Sequence, residues 1–290
     1  MKITGFTIIR NAVMNDYPVV ESISSILPVV DEMIVLIGDS QDETEQLIRG
    51  IGSPKIIIHH SVWDPALKEG GRVLAAETNK AFQLISADSD WAFYIQADEV
   101  VHEQYHEAIR QAALLYKDDK KVDGLLFEYL HFYGTYDFVG DSRRWYHKEV
   151  RIIRNDKSIA AYLDAQGFRR NGKRIDVKPV GAYIFHYGWV KNPQKMQEKR
   201  QNMVGLWQEK TVENLQVLQS DFFDYNEHLD SLQRFGGTHP RVMQQRIKEQ
   251  NWTVDLDLSR KKFSLKDRLL YWFEKKTGMR LFDFKNYRII

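Results

Sequence analysis

The chain has no cysteine, which excludes disulfide staples, thiolate zinc sites and cysteine nucleophiles. It also lacks a charge excess: 41 basic and 40 acidic residues leave a formal +1. A general nucleic-acid binder carries a larger basic surplus, so nucleic acid is not an expected partner. No apolar run approaches the roughly 18 residues of a membrane span. Residues 1–10 lack the apolar stretch after a basic region that marks a secretory signal, and the expectation is a cytoplasmic protein. No internal repeat and no low-complexity segment occurs. What the chain does have is 290 residues, 43% of them hydrophobic, enough for one large α/β domain with an appendage.

The N-terminal part alternates strand and helix signals. Residues 2–9 (KITGFTII) are β-rich, and residues 17–30 carry apolar side chains at helical spacing. The short apolar run 33–37 (MIVLI) predicts a buried parallel strand, followed by Gly38-Asp39-Ser40 and a helix from Asp42. Residues 55–59 (KIIIH) repeat the strand and 71–85 the helix; 91–95 (WAFYI) form a strand ending in Gln96-Ala97-Asp98-Glu99. This rhythm predicts a mainly parallel sheet covered on both faces. Beyond residue 120, strands are expected at 122–132, 150–153 and 182–186, with an aromatic-rich loop at 133–145. Helical patterns dominate after 192.

In open α/β sheets, ligands bind beyond the carboxyl ends of the strands. Three polar clusters fall there: Arg10-Asn11, the stretch 39–44 (DSQDET) and the stretch 96–99 (QADE). Taken singly, each also reads as a helix cap, since Asp39, Ser40 and Asp42 are good N-cap residues. Asp98-Glu99 fits that reading less well, because adjacent carboxylates repel unless a cation joins them. A hard divalent cation, held by a few carboxylates and completed by phosphate oxygens, suits the role.

With these clusters in place, residues 2–190 resemble the family 2 glycosyltransferases, which have the GT-A fold, a Rossmann-like nucleotide-sugar-binding domain. Arg10-Asn11 stand where those enzymes end a strand in a polar residue and Asn. The segment 40–44 (SQDET) is similar to their Ser-Thr-Asp-Gly-Thr, and Asn79-Lys80-Ala81 match the helix before the metal strand. Gln96-Ala97-Asp98-Glu99 is similar to their Asp-Ala-Asp-Glu, and Phe185-His186-Tyr187-Gly188 to the late histidine that completes the metal site. The family's acidic residue after the second strand has Ile37 or Gly38 at the aligned position, with Asp39 displaced, and Gln96 replaces the first Asp of the metal motif.

The resemblance implies a GT-A domain over 1–190 and a mainly helical extension over 191–290. It implies a donor site from Arg10, Asn11, Asp39, Asp42, Arg72, Asn79, Gln96 and Asp98, with Mn2+ or Mg2+ on Asp98 and His186. Read without it, His186 is a lone histidine in an apolar, aromatic stretch, the usual setting of a core residue; imidazole suits manganese better than magnesium. Inverting transfer of a sugar from a nucleotide-sugar donor to a hydroxyl needs a general base. Asp164 (in YLDAQGF) and Glu149 (in HKEVRII) are the candidates, with Asp164 preferred. A surface ion pair for Glu149 and a turn residue for Asp164 are the plain alternatives. The rings from Tyr129 to Tyr146 suit either sugar stacking or core packing. The expected acceptor is a glycan or lipid-linked glycan, in bacterial surface glycan synthesis. Two other functions compete. A sugar-phosphate nucleotidyltransferase would favour a glycine-rich loop after the first strand, yet residues 10–16 (RNAVMND) contain no glycine. A non-catalytic carbohydrate-binding or scaffold protein would have no need of Asp98, Asp164 and His186.

Charge is concentrated at the C-terminus. Residues 259–290 hold 10 basic and 3 acidic residues, a net +7, leaving −6 on the rest. Leu265, Leu269, Trp272 and Phe273 recur at three- and four-residue steps with Lys262, Lys266 and Arg268 beside them. That pattern fits either a helix docked on the domain or an interfacial helix at the inner face of a membrane.

Overall fold

The computed structural model describes residues 1–67, 69–207, 219–259 and 261–290. Part of the helical stretch expected after 192, and Arg260 of the basic tail, lie outside the described residues. The first half follows the strand–helix rhythm: β1 (Ile3–Ile9), α1 (Val19–Ile26), β2 (Glu32–Ile37), α2 (Thr44–Arg49), β3 (Ile56–His60), α3 (Arg72–Gln83) and β4 (Trp91–Tyr94). β3, β2, β1 and β4 lie side by side, each parallel to its neighbour. The unbroken apolar run of β2 has a direct cause. Met33, Val35 and Ile37 enter one core layer with Ile23 and Ile26 of α1, while Ile34 and Leu36 enter the other with Ala81 and Phe82 of α3. A strand buried on both faces has no polar side, and each such side chain contributes about 1.5–3 kcal/mol by leaving water.

The second half extends the same sheet with mixed pairing. In chain order it contains β5 (Glu99–Val101), α4 (His106–Leu115), β6 (Gly124–Tyr133), β7 (Thr135–Gly140), β8 (Lys148–Arg154), β9 (Ile159–Tyr162), β10 (Gly167–Arg170), β11 (Lys173–Trp189), α5 (Pro193–Trp207), β12 (Leu232–Arg234), α6 (Gln244–Lys248), α7 (Leu265–Thr277) and β13 (Tyr287–Ile289). β8 runs antiparallel between β4 and β6, and β6 pairs in parallel with β11. The fold is therefore the expected α/β class, parallel in its first four strands and mixed beyond them.

Three local expectations are corrected. The aromatic loop at 133–145 contains a strand, β7, because Gly134 (φ 73°) lets the chain turn back on β6. The strand expected at 182–186 is the end of the 17-residue β11. Residues 191–290, expected as a mainly helical extension, also contribute two short strands: β12 pairs with β7 and β13 with β11. No helix among the described residues is long and apolar enough to cross a membrane.

Candidate active site

The carboxyl ends of β1, β2 and β4 open into a cleft of about 690 Å3, within the usual range for a small-molecule site. Of the expected donor residues, Arg10, Asn11, Asp39, Gln96 and Asp98 line it, together with Trp63, Asp164 and Lys199. Asn11 ties two strand ends together: its amide nitrogen donates to Ser40 Oγ at 3.0 Å and its Oδ1 accepts from the Gln41 amide at 2.8 Å. Its φ of 52° lies in the left-handed region, which asparagine tolerates better than most residues. Arg10 pairs with Asp39 at 3.0 Å, and its guanidinium lies over the Trp63 ring, 5.5 Å from the centroid. Trp63 sits against Gly38, where a Cβ would fall 2.4 Å from the indole nitrogen. The buried Nε1–H of Trp63 has no protein acceptor.

The other three expected donor residues hold backbone or stand apart. Asp42, one residue before Glu43, the N-cap of α2, accepts from the Met14 amide at 2.8 Å and from the Thr44 amide at 3.2 Å. Asn79 accepts from the Ala161 amide at 2.7 Å, fastening β9 to α3. Arg72 begins α3, is exposed, and is not among the residues lining the cleft.

Asp98 and His186 meet because β5 pairs antiparallel with β11 and sets Glu99 opposite His186. His186 Nε2 lies 3.7 Å from Asp98 Oδ1. A third residue fixes the imidazole. His131 Nε2 is 2.7 Å from the carbonyl of Tyr146, which can only accept, so His131 carries its proton there. Its Nδ1 is then an acceptor, and it receives the Nδ1–H of His186 at 3.1 Å. Burial holds His131 well below the ordinary histidine value, reinforced by His186, and burial also lowers His186 against the pull of Asp98. Neutral His186 therefore turns the Nε2 lone pair toward the Asp98 carboxylate. Gly188 keeps the space beside them open, since a Cβ there would lie 2.6 Å from Asp98 Oδ2 and 2.8 Å from His186 Nε2.

The adjacent carboxylates part company. Asp98 faces the cleft and pairs with Lys199 of α5 at 3.3 Å. Burial alone would raise the Asp98 carboxyl, but Lys199, then His186 at the low pH where it is protonated, then Lys191 outweigh it and hold its pKa at about 2. Glu99 turns into the core, where the Arg151 guanidinium donates twice, at 2.7 and 2.9 Å, and the Tyr129 hydroxyl donates at 2.8 Å. The cation expected for this second carboxylate is thus an arginine. Lys191, buried behind Asp98, is pushed down to about 7 by desolvation, with Lys199 adding to it.

Asp164 enters the cleft from the turn between β9 and β10. Its neighbours Leu163 (φ 53°) and Ala165 (φ 62°) both adopt left-handed backbone, a conformation costing on the order of 1–3 kcal/mol for such residues. Glu149, the other base candidate, is buried in β8, does not line the cleft and accepts from the Val150 amide at 3.0 Å. The rings weighed for sugar stacking are mainly core: Tyr129, His131, Tyr133 and Tyr136 are buried, and Trp145 stacks on His131. Arg143 is engaged with Glu274 of α7 and Arg144 with the His228 carbonyl.

The sequence reading overlooked Trp63, Arg151, Lys191 and Lys199, and it took His131 only as one of the rings suited to sugar stacking or core packing. The available signal was a second histidine inside another apolar strand, at 131 as at 186. Among the described residues, no group of three or more His, Asp or Glu side chains converges as a ready metal cage.

No protein-family model and no curated protein matches the chain. Among solved structures, S. aureus TarS matches over 75% of this chain and 42% of its own, at 14% identity and a TM-score of 0.40. TarS 1–349 in complex with UDP matches over 75% of this chain and 70% of its own, at 15% identity and a TM-score of 0.40. Glucosyl-3-phosphoglycerate synthase from Mycobacterium tuberculosis, in complex with Mn2+, UDP and phosphoglyceric acid, matches over 45% of this chain and 43% of its own, at 18% identity and a TM-score of 0.30. This chain therefore spans less than half the length of the first of these.

Proposed function

We propose that this chain is an inverting glycosyltransferase, taking a sugar from a nucleotide-sugar donor to a hydroxyl acceptor with Mn2+ or Mg2+ held by Asp98 and His186. The observation that carries the reading is the pair itself. Asp98, a carboxylate lining the cleft, and the imidazole of His186, which is not itself among the lining residues, face each other 3.7 Å apart, with Gly188 beside them. Two electron-pair donors so arranged suit a shared cation, and a histidine oriented through its other nitrogen is the usual support of a metal ligand. Two protein ligands leave positions for diphosphate oxygens, as in magnesium sites completed by substrate. When bound, the cation supplies Lewis-acid neutralisation of the diphosphate leaving group.

The remaining work falls to side chains of the chain. Lys199 adds positive charge on the same wall, where it offsets the diphosphate as the bond to the anomeric carbon breaks. Trp63, with Arg10 across its face and a free N–H, and Asn11 offer stacking and hydrogen bonds to the nucleoside. Asp164 takes the proton of the acceptor hydroxyl as that oxygen attacks the anomeric carbon opposite the leaving group, which inverts the centre. Strained backbone on both sides of Asp164 supports a functional role for this turn. The acceptor, a glycan or lipid-linked glycan, belongs to the same proposal.

A thermal-shift panel of nucleotide sugars with and without Mn2+ tests it, since a ligand of the folded state raises the melting temperature by mass action. One donor is expected to stand out, to need the cation, and to lose its shift in Asp98→Ala. Full cation-dependent turnover by Asp98→Ala would overturn the assignment.

A further inference from the structure

The C-terminal helix α7 is anchored by one face and bare on another. Tyr271 donates to Asp141 at 2.6 Å, and Glu274 receives Arg143 at 2.8 Å. These contacts fix the roll of the helix, and Ser264 caps its start by accepting from the Asp267 amide. Gly278, at φ 70°, ends it. Held this way, α7 turns Leu265, Leu269 and Trp272 to solvent, 86%, 65% and 57% exposed. Steps of four and three residues put them on one stripe. Phe273, grouped with them on spacing alone, is half-buried toward the protein. Just beyond the helix, Phe282 and Phe284 are 87% and 74% exposed, and Phe282 adopts left-handed backbone at φ 56°.

Charge surrounds the stripe. Arg268 and Lys275 flank one side and Lys266 the other, with Lys276 at its end, all exposed. They belong to the segment of net +7 on a chain otherwise at −6. Soluble surfaces rarely line one helix face with three large, mostly exposed apolar side chains. An apolar stripe with basic flanks fits a surface whose outer layer is anionic and whose interior is hydrocarbon.

We infer that the α7 stripe, with Phe282 and Phe284, seats this protein on an anionic lipid bilayer surface. Basic residues would meet phosphate headgroups while Leu265, Leu269 and Trp272 enter the acyl boundary. The inference is independent of the donor and cation assignment, because it requires neither to be bound.

The test is flotation of the full chain with vesicles of phosphatidylglycerol and phosphatidylcholine, against phosphatidylcholine alone, at 50 and 500 mM salt. Association is expected only with the anionic vesicles, weakened by salt. Lys266→Glu/Lys276→Glu should reduce partitioning by roughly fivefold or more for each charge removed. Leu269→Glu/Trp272→Glu should abolish it while leaving the thermal unfolding temperature near that of the parent, since both side chains are exposed. No association at low salt, equal association with both vesicle types, or indifference to the Leu269/Trp272 substitutions would each overturn the inference. So would a concentration-dependent dimer that those substitutions dissolve, which would assign the face to a second copy of the chain.

Discussion

Glu149 gives a prediction whose size follows from its surroundings. Burial disfavours its charged form and raises its pKa from an ordinary 4.5 to about 7, although Arg151 pulls the other way. At about 1.4 kcal/mol per pH unit, that displacement corresponds to about 3 kcal/mol. The folded value lies above the unfolded one, so the protonated carboxyl stabilises the fold fully below pH 4.5. That contribution is lost as pH rises through 7, and above it the fold carries a buried carboxylate. Glu149→Gln keeps the shape and an acceptor for the Val150 amide but cannot ionise. Urea unfolding at pH 5 and pH 8 should therefore show the variant gaining on the parent by about 2–3 kcal/mol between the two conditions. Turnover should persist, because Glu149 does not line the cleft. Parallel stability profiles for the two proteins would refute the electrostatic reasoning, and loss of turnover in a stabilised variant would make Glu149 the base in place of Asp164.

Three further outcomes are expected. Asp164→Asn should lower turnover by about 10²- to 10⁴-fold with the donor dissociation constant unchanged; equal losses in binding and rate would make it a donor-site residue instead. His131→Phe keeps a ring beside Trp145 but removes the acceptor for His186 Nδ1–H, so Mn2+ affinity by calorimetry should fall about 10- to 100-fold. An unchanged affinity would contradict the tautomer assigned to His186. Gly188→Ala puts a methyl group between Asp98 and His186 without demanding unusual backbone; it should remove Mn2+ binding while circular dichroism stays native, and retained binding would show that the cation sits elsewhere.

The parallel half of the sheet was legible because its strands are buried on both faces and so write themselves as apolar runs. KITGFTII, MIVLI and WAFYI each fall within a residue or two of an observed strand. The cleft was legible only in part: Arg10, Asn11, Asp39, Gln96 and Asp98, at the ends of those runs, line it, but each cluster, taken singly, also reads as a helix cap. What stayed hidden depends on partners distant in sequence. Arg151 answers Glu99 from 52 residues away, His131 meets His186 across 55, and Lys199 reaches Asp98 across 101. Nothing in local spacing announces such pairs. Asp42, just before α2, and Asn79, inside α3, illustrate the converse: short polar side chains resemble ligand-binding groups but satisfy backbone amides. The length of β11 was obscured because Pro179 and Gly181 interrupt its apolar pattern at the point where its register with β6 shifts.

That strand also has a kinetic meaning. β11 takes β6, β5, β10 and β13 as neighbours, and all but β10 come from far along the chain, β13 from its last residues. Loop-closure entropy must be overcome before such contacts return anything, so long-range pairings form slowly. His186 reaches Asp98 only once β5 has closed onto β11, which makes the Asp98–His186 pair a late event in folding. During refolding, recovery of Mn2+ binding should lag behind recovery of helical signal, and the ligand would serve as a reporter of sheet completion.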